Sequence, residues 1–261
     1  MWKIESTKKF KEKNTGKAIL IEGLPGIGNV GKIAVDFLVD ELKADRVYTI
    51  FSNSLPHSVF VNENNLIELP MIEIYHKKVN GQDVFLLSGD VQPMDEVSCY
   101  NFCESILDLM EKHGGKEIIT TGGIGLNEIP AQPKVYCTSS EKKVLADYKK
   151  ATNINSNLFG VVGPIVGVSG VMVGLASKRK MAGACLLAET YGHPLYVGVA
   201  GAKEIVKVIS KKLNLKVDAN KLDKSMQDVN SSFAKITDLR KLNKDLALKQ
   251  DKTKHDVNYI G

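Results

Sequence analysis

The sequence predicts an α/β sandwich on a partly parallel sheet, followed by a helical C-terminal arm. Three observations predict it. Short apolar or β-rich runs alternate with segments of helical spacing from residue 18 to residue 213. A full G-x-G-x-x-G, Gly26 to Gly31, stands where a strand gives way to a helix. The last fifth of the chain abandons alternation for a heptad-spaced apolar seam. At about 150 residues per domain, 261 residues admit one large domain or two small ones. With 43% hydrophobic and 25% charged residues the chain can build a core, which excludes a disordered chain and a collagen-like fibre.

Residues 1–13 are polar, with five lysines and no apolar run behind them, so they are not a secretory signal. Ala18 to Gly23 is a strand, Asn29 to Leu42 a helix and Arg46 to Phe51 a strand, together the size of a βαβ unit. Short strands follow at Val59 to Val61 and Met71 to Tyr75, and a turn at Asn80-Gly81 leads into Val84 to Leu87. Val97 to His113 is helical and ends at Gly114-Gly115. Glu117 to Thr121 is a strand, and Gly122 to Pro133 reads as a Gly/Pro-rich loop. Val135 to Thr138 is a strand, and Ser139 or Ser140 caps a helix to Tyr148.

Leu158 to Ala176 holds nineteen residues without a charge, long enough to cross a bilayer. Five glycines and Pro164 argue instead for a buried strand, a turn at Gly163-Pro164 and a small-residue helix. Ala182 to Ala188 is a strand or a helix segment, which periodicity does not decide. Leu195 to Val199 reads as a strand and Lys203 to Leu213 as a helix.

Three regions follow: an α/β domain over 1–216, a helical arm over 217–250 and a polar tail over 251–261. The arm's seam is Leu222, Met226, Val229, Phe233, Ile236 and Leu239, with Asp218 or Asn220 as cap. One helix from Lys221 to Gln250 would be about 45 Å long. It can pack on its own domain or build an oligomer interface, and the seam's length and charged flanks favour the second. From Lys203 to Gly261 there are 14 basic and 8 acidic residues, so the net charge of +5 resides in this region. That charge falls short of a nucleic-acid binder. The tail ends in Val257-Asn258-Tyr259-Ile260-Gly261, an apolar aromatic tip on a polar leash.

Chemistry-bearing motifs are few. The glycines of 26–31 have the context of a dinucleotide fingerprint, but the next strand ends Phe51-Ser52-Asn53-Ser54, without the acidic residue a ribose requires. The same glycines suit a tight turn and close helix–strand packing. Gly122 to Gly125 reads as a second glycine turn able to cradle an anion. An alternative reading therefore stands, a nucleotide- or nucleoside-binding enzyme using the turns at Gly26–Gly31 and Gly122–Gly125. Asp90, Glu128, Glu189 and His193 would line its pocket. The five histidines lack metal-ligand spacing, and no G-x-S-x-G elbow exists. No catalytic residue, cofactor or metal site is assigned. The four cysteines form no C-x-x-C pair and read as small apolar residues in a reducing cytoplasm.

Glu22-Gly23-Leu24-Pro25-Gly26-Ile27-Gly28-Asn29-Val30-Gly31 after a strand and before a helix resembles the opening of the proteasome assembly chaperone 2 family. Thr121-Gly122-Gly123, the glycines of 160–174, Leu186-Leu187-Ala188-Glu189-Thr190 and a charged C-terminal helical arm, as in archaeal members, follow in family order. The resemblance covers roughly residues 15–215. It implies a three-layer α/β sandwich with a mixed sheet, akin to nucleoside phosphorylases but without enzymatic function. It further implies a homo-oligomeric scaffold for the α-subunits of the 20S proteasome. The partners expected are copies of this chain and either those α-subunits or a sister chaperone, while the modest charge and the glycine-broken apolar stretch predict neither nucleic acid nor membrane as partner. Members that touch the α-ring can insert a C-terminal hydrophobic–Tyr–any-residue tail. Here Tyr259 is antepenultimate, ahead of Ile260 and Gly261, so the tail is offset by one residue.

Overall fold

The computed structural model describes residues 2–7, 10, 14, 16–152, 154–155 and 163–224. The strands are β1 Lys3–Ser6, β2 Ala18–Gly23, β3 Asp45–Phe51, β4 Phe60–Val61, β5 Ile67–Glu68, β6 Ile72–Val79, β7 Gln82–Gly89, β8 Gly115–Leu126, β9 Val135–Ser139 and β10 Ala182–Tyr191. The helices are α1 Val30–Leu42, α2 Glu96–Lys112, α3 Lys142–Ala151, α4 Val168–Lys178 and α5 Val199–Leu213. Eight strands form one mixed sheet in the order β1-β3-β6-β7-β2-β8-β10-β9, and β4 and β5 pair separately. The central four, β7, β2, β8 and β10, are parallel, while β6, β1 and β9 oppose them.

Alternation along buried strands builds a core on each face of the sheet. Ile19 and Ile21 of β2, with Val84 and Leu86 of β7, face α1, α3 and α5. Leu20, Phe85 and Leu87 face α2 and α4, where Phe102, Ile106 and Met172 cover them. A sheet covered by helices on both faces needs near-continuous apolar central strands, and all six residues of β2 are buried. Local chemistry sets the boundaries. Asp95 accepts the Ser98 amide at 2.9 Å to start α2. Asn80 and Gly81, with φ of 50° and 79°, close the β6–β7 hairpin in the manner of a type I′ turn.

Several expectations are corrected. Gly122 to Gly125 is not a turn: β8 continues to Leu126, and each of these glycines has a register partner on β10, from Leu187 to Thr190. β10 supplies the ladder that glycine's weak propensity does not, since the pairing of β2 with β8 ends at Thr120. Ala182–Tyr191 is a strand, which settles that ambiguity. Leu195 to Val199 is not a strand, because Val199 opens α5 and Tyr196 donates its amide to His193. Glu141, not Ser139 or Ser140, occupies the N-cap of α3. The strand–helix–strand of residues 18–51 does not pair its own strands, since β7 and β6 lie between β2 and β3. β1 and β5 leave no periodicity signal in the sequence, because each is short and exposed.

After α5 the chain doubles back. Asp218 accepts the Asn220 amide at 3.0 Å in the turn. Leu215, Ala219 and Leu222 join the α1–α5 core, Lys221 reaches Glu41 at 2.7 Å, and Asp223 reaches Lys203 at 2.6 Å. Leu222, the first seam position, is thus spent on the subunit's own core. Met226, Val229, Phe233, Ile236, Leu239 and the tail residues Tyr259, Ile260 and Gly261 lie outside the described residues, as does the rest of the arm. Among the described residues no helix is long and apolar enough to cross a membrane.

Candidate interaction face at the strand ends

The carboxyl ends of the parallel strands gather two features: a small cavity and the exposed apolar surface. Open α/β sheets place ligand sites at this end because the connections diverge there. The cavity, about 440 Å³, is lined by Glu22, Gln92, Thr121 and Ser169 and by the glycine-rich segments after β2 and along β8. Glu22, next to last in β2, is buried. Its Oε1 accepts the Leu24 amide at 3.0 Å and its Oε2 the Ser169 hydroxyl at 3.0 Å. Thr121 donates its hydroxyl to the Glu22 carbonyl at 2.7 Å. Burial pushes the Glu22 carboxyl up from 4.5 to about 7, against the pull of these hydrogen bonds. The group sits at the edge of ionisation near neutral pH, poised to hold or give up a proton.

Local patterning does not assign Glu22 a role. The available signal was a carboxylate inside the apolar run Ala18-Ile-Leu-Ile-Glu-Gly23. The residues that the sequence singles out are not brought together. Asp90 accepts the Met71 amide at 3.1 Å and clamps the end of β7. Glu189 accepts the Lys134 amide and the Tyr136 hydroxyl and ties β10 to β9. His193 stacks on Tyr191, and Glu128 is exposed in the loop after β8. None of the four lines the Glu22 cavity.

Packing explains part of the glycine pattern. A Cβ on Gly31 would stand 2.5 Å from the Thr121 carbonyl oxygen, and one on Gly123 would stand 2.3 Å from that of Ile27. Close approach of α1 and its preceding turn to β8 therefore requires glycine at these positions. That need accounts for Gly31 and Gly123 without a bound phosphate, whereas a Cβ on Gly26 would meet nothing within 4 Å, and the glycine turn the enzyme reading placed at Gly122–Gly125 does not exist. Among the described residues no group of His, Cys, Asp or Glu is arranged to hold a metal ion.

The apolar surface is polarised. Every large hydrophobic residue exposed among the described residues lies at this end of the sheet. They stand after β2 (Ile27), at the end of β3 and in the connection to β6 (Phe51 and seven residues of 59–71), and around the start of α2 (Met94, Val97, Tyr100). Ile129, Val166 and Leu195 complete the set from three further connections. The opposite end carries charged turns such as Lys178-Arg179-Lys180. Exposed apolar residues gathered at one end are the pattern expected of an interaction surface.

Comparison with known proteins agrees with this architecture. The uncharacterized protein MJ1210 of Methanocaldococcus jannaschii is 29% identical over 244 residues, 94% of this chain and 92% of that protein. The structure of Pyrococcus furiosus PbaB, described as an archaeal proteasome activator, superposes with a TM-score of 0.81 at 30% identity, covering 90% of this chain and 98% of PbaB. PbaA of the same organism, described as an archaeal homolog of proteasome-assembly chaperone, shares the fold, with a TM-score of 0.73 at 21% identity over 97% of this chain and 99% of PbaA. A model of the PAC2 family matches residues 20–237, from the third residue of β2 to beyond the described chain. Carrying that match over most of its length, the chain belongs to the PAC2 family.

Proposed function

We propose that this chain is a non-enzymatic, homo-oligomeric scaffold that engages the 20S proteasome and assists its assembly or activation. The observation that carries the reading is the likeness to PbaB, which extends over nearly the whole of both chains at 30% identity. The apolar strand-end face supports it, because a protein that works by binding other proteins needs such a surface. Gly31 and Gly123 are required by packing, and Gly122–Gly125 is strand rather than a turn, which weakens the argument for a nucleotide enzyme.

The tail supplies the contact to the α-ring. Tyr259 and Ile260 can bury one aromatic and one aliphatic side chain in a groove between α-subunits. Ordering a polar leash costs entropy, so one tail binds weakly, and several tails on one oligomer gain by effective concentration. The test is co-sedimentation of the full chain with 20S proteasomes, alongside a chain lacking Tyr259 to Gly261. Loss of binding with the oligomer intact is the expected result. Undiminished binding by the shortened chain refutes the tail, and no binding by the full chain refutes the proteasome reading.

A further inference from the structure

Opposite edges of the sheet carry complementary surfaces. Toward one edge, between β3 and β6, projects the β4–β5 hairpin, whose four strand residues are all exposed. Two residues per strand with no core behind them are not stable on their own. Its turn is nevertheless fixed, because Asn62 Oδ1 accepts the amides of Asn64 and Leu66 at 3.0 Å and its amide donates to the Leu66 carbonyl at 2.9 Å. Val61 and Ile67 are 66% and 72% exposed, and residues 59–71 contain Glu63 and Glu68 but no lysine or arginine. The hairpin is a preformed apolar knob with an acidic rim.

At the far edge, beside β9, lies a groove of about 1150 Å³. Val135, Ile154, Ala200 and Val208 give it an apolar lining, and it bears Lys134, Lys203, Lys207 and Lys211 against Glu204 and Asp223. Lys203 and Lys207 are paired with Asp223 and Glu204. Lys134 and Lys211 have no acidic partner among the described residues. Knob and groove thus match in both apolar character and charge.

We propose that the β4–β5 hairpin of one copy seats in the β9–α5 groove of the next, with Glu63 and Glu68 facing Lys134 and Lys211. The hairpin does not fill its own groove, because β6 and β9 stand five strand spacings apart, roughly 24 Å. A two-fold contact of hairpin on hairpin sets the Glu63–Glu68 rims of both copies against each other. Head-to-tail seating avoids that repulsion, and such a contact builds a ring where the rotation closes. The inference rests on the homo-oligomeric part of the proposed function and names the surfaces that make it.

The test measures the mass of the full chain by light scattering after size exclusion. The wild type is an oligomer, and Ile67→Lys, a change at an exposed site, reduces it to a folded monomer with an unchanged circular dichroism spectrum. The pairs Glu63→Lys/Glu68→Lys and Lys134→Glu/Lys211→Glu each dissociate it, and all four together restore it. An Ile67→Lys chain of wild-type mass overturns this interface while leaving the oligomer reading intact. Dissociation by the hairpin changes but not by the groove changes overturns the groove as the hairpin's seat. A wild-type monomer overturns the oligomer and this interface together.

Discussion

Glu22 shows how one buried side chain ties the ends of three elements. Its carboxyl holds the turn after β2 through Leu24 and the first turn of α4 through Ser169, while its carbonyl receives Thr121 from β8. The folded state holds the carboxyl proton more tightly than the unfolded chain, since burial raises the folded value to about 7. The associated stabilisation is complete below the unfolded value near 4.5 and is lost as pH rises through 7. A change of this size corresponds to roughly 3 kcal/mol. Glu22→Gln keeps an acceptor for Leu24 and an amide for Ser169 but cannot titrate. Urea unfolding at pH 5 and pH 8 is expected to show this loss in the wild type and a flatter response in Glu22→Gln. Equal pH dependence in both would remove Glu22 as the titrating group. The cysteines follow the same logic of burial without a charged role. Burial pushes the thiols of Cys137 and Cys185 up to about 12, which keeps them protonated and unreactive at neutral pH.

At the scale of elements, the segment after α5 carries more than a linker would. Leu215, Ala219 and Leu222 extend the α1–α5 core, and Lys221 and Asp223 are ion-paired to α1 and α5. A domain boundary at residue 217 cuts through this packing. Of two shortened chains, the one ending at Val217 is expected to be less stable than the one ending at Lys224 by about 2–5 kcal/mol, the range for removing a buried leucine side chain. Urea midpoints measure the difference, and coincident midpoints would show that Leu222 adds nothing to the core. Heptad spacing alone does not register this. Leu222 fits the periodicity of a seam, yet the turn at Asp218 delivers it to the domain's own surface.

At the scale of the molecule, the sheet separates two chemistries along the strand direction, with exposed apolar residues at one end and charged turns at the other. The hairpin and the groove add a second asymmetry, from one sheet edge to the other. If tails bind the α-ring and the hairpin contact holds copies together, the two functions are coupled through avidity. Ile67→Lys leaves Tyr259 to Gly261 untouched, yet its affinity for the 20S proteasome should fall by about 10²–10⁴, the gain that linked sites provide. Equal affinity of the wild type and this variant in a titration would show that a single tail suffices.

How much was legible in the sequence follows from the range of each signal. The strand at Ala18–Gly23, the helix ending at Leu42, the Asn80-Gly81 hairpin and the helix through α2 were readable because periodicity, glycine punctuation and turn chemistry act within a few residues. The family was readable because its motifs stand in order along the chain. Tertiary structure alone decided that Gly122 to Gly125 is strand, because β10, some sixty residues away, supplies its ladder. It alone placed Glu22 beside Ser169 across 147 positions and gathered the exposed apolar residues of six connections at one end. Burial and pairing depend on which distant residues meet, and no local pattern carries that information.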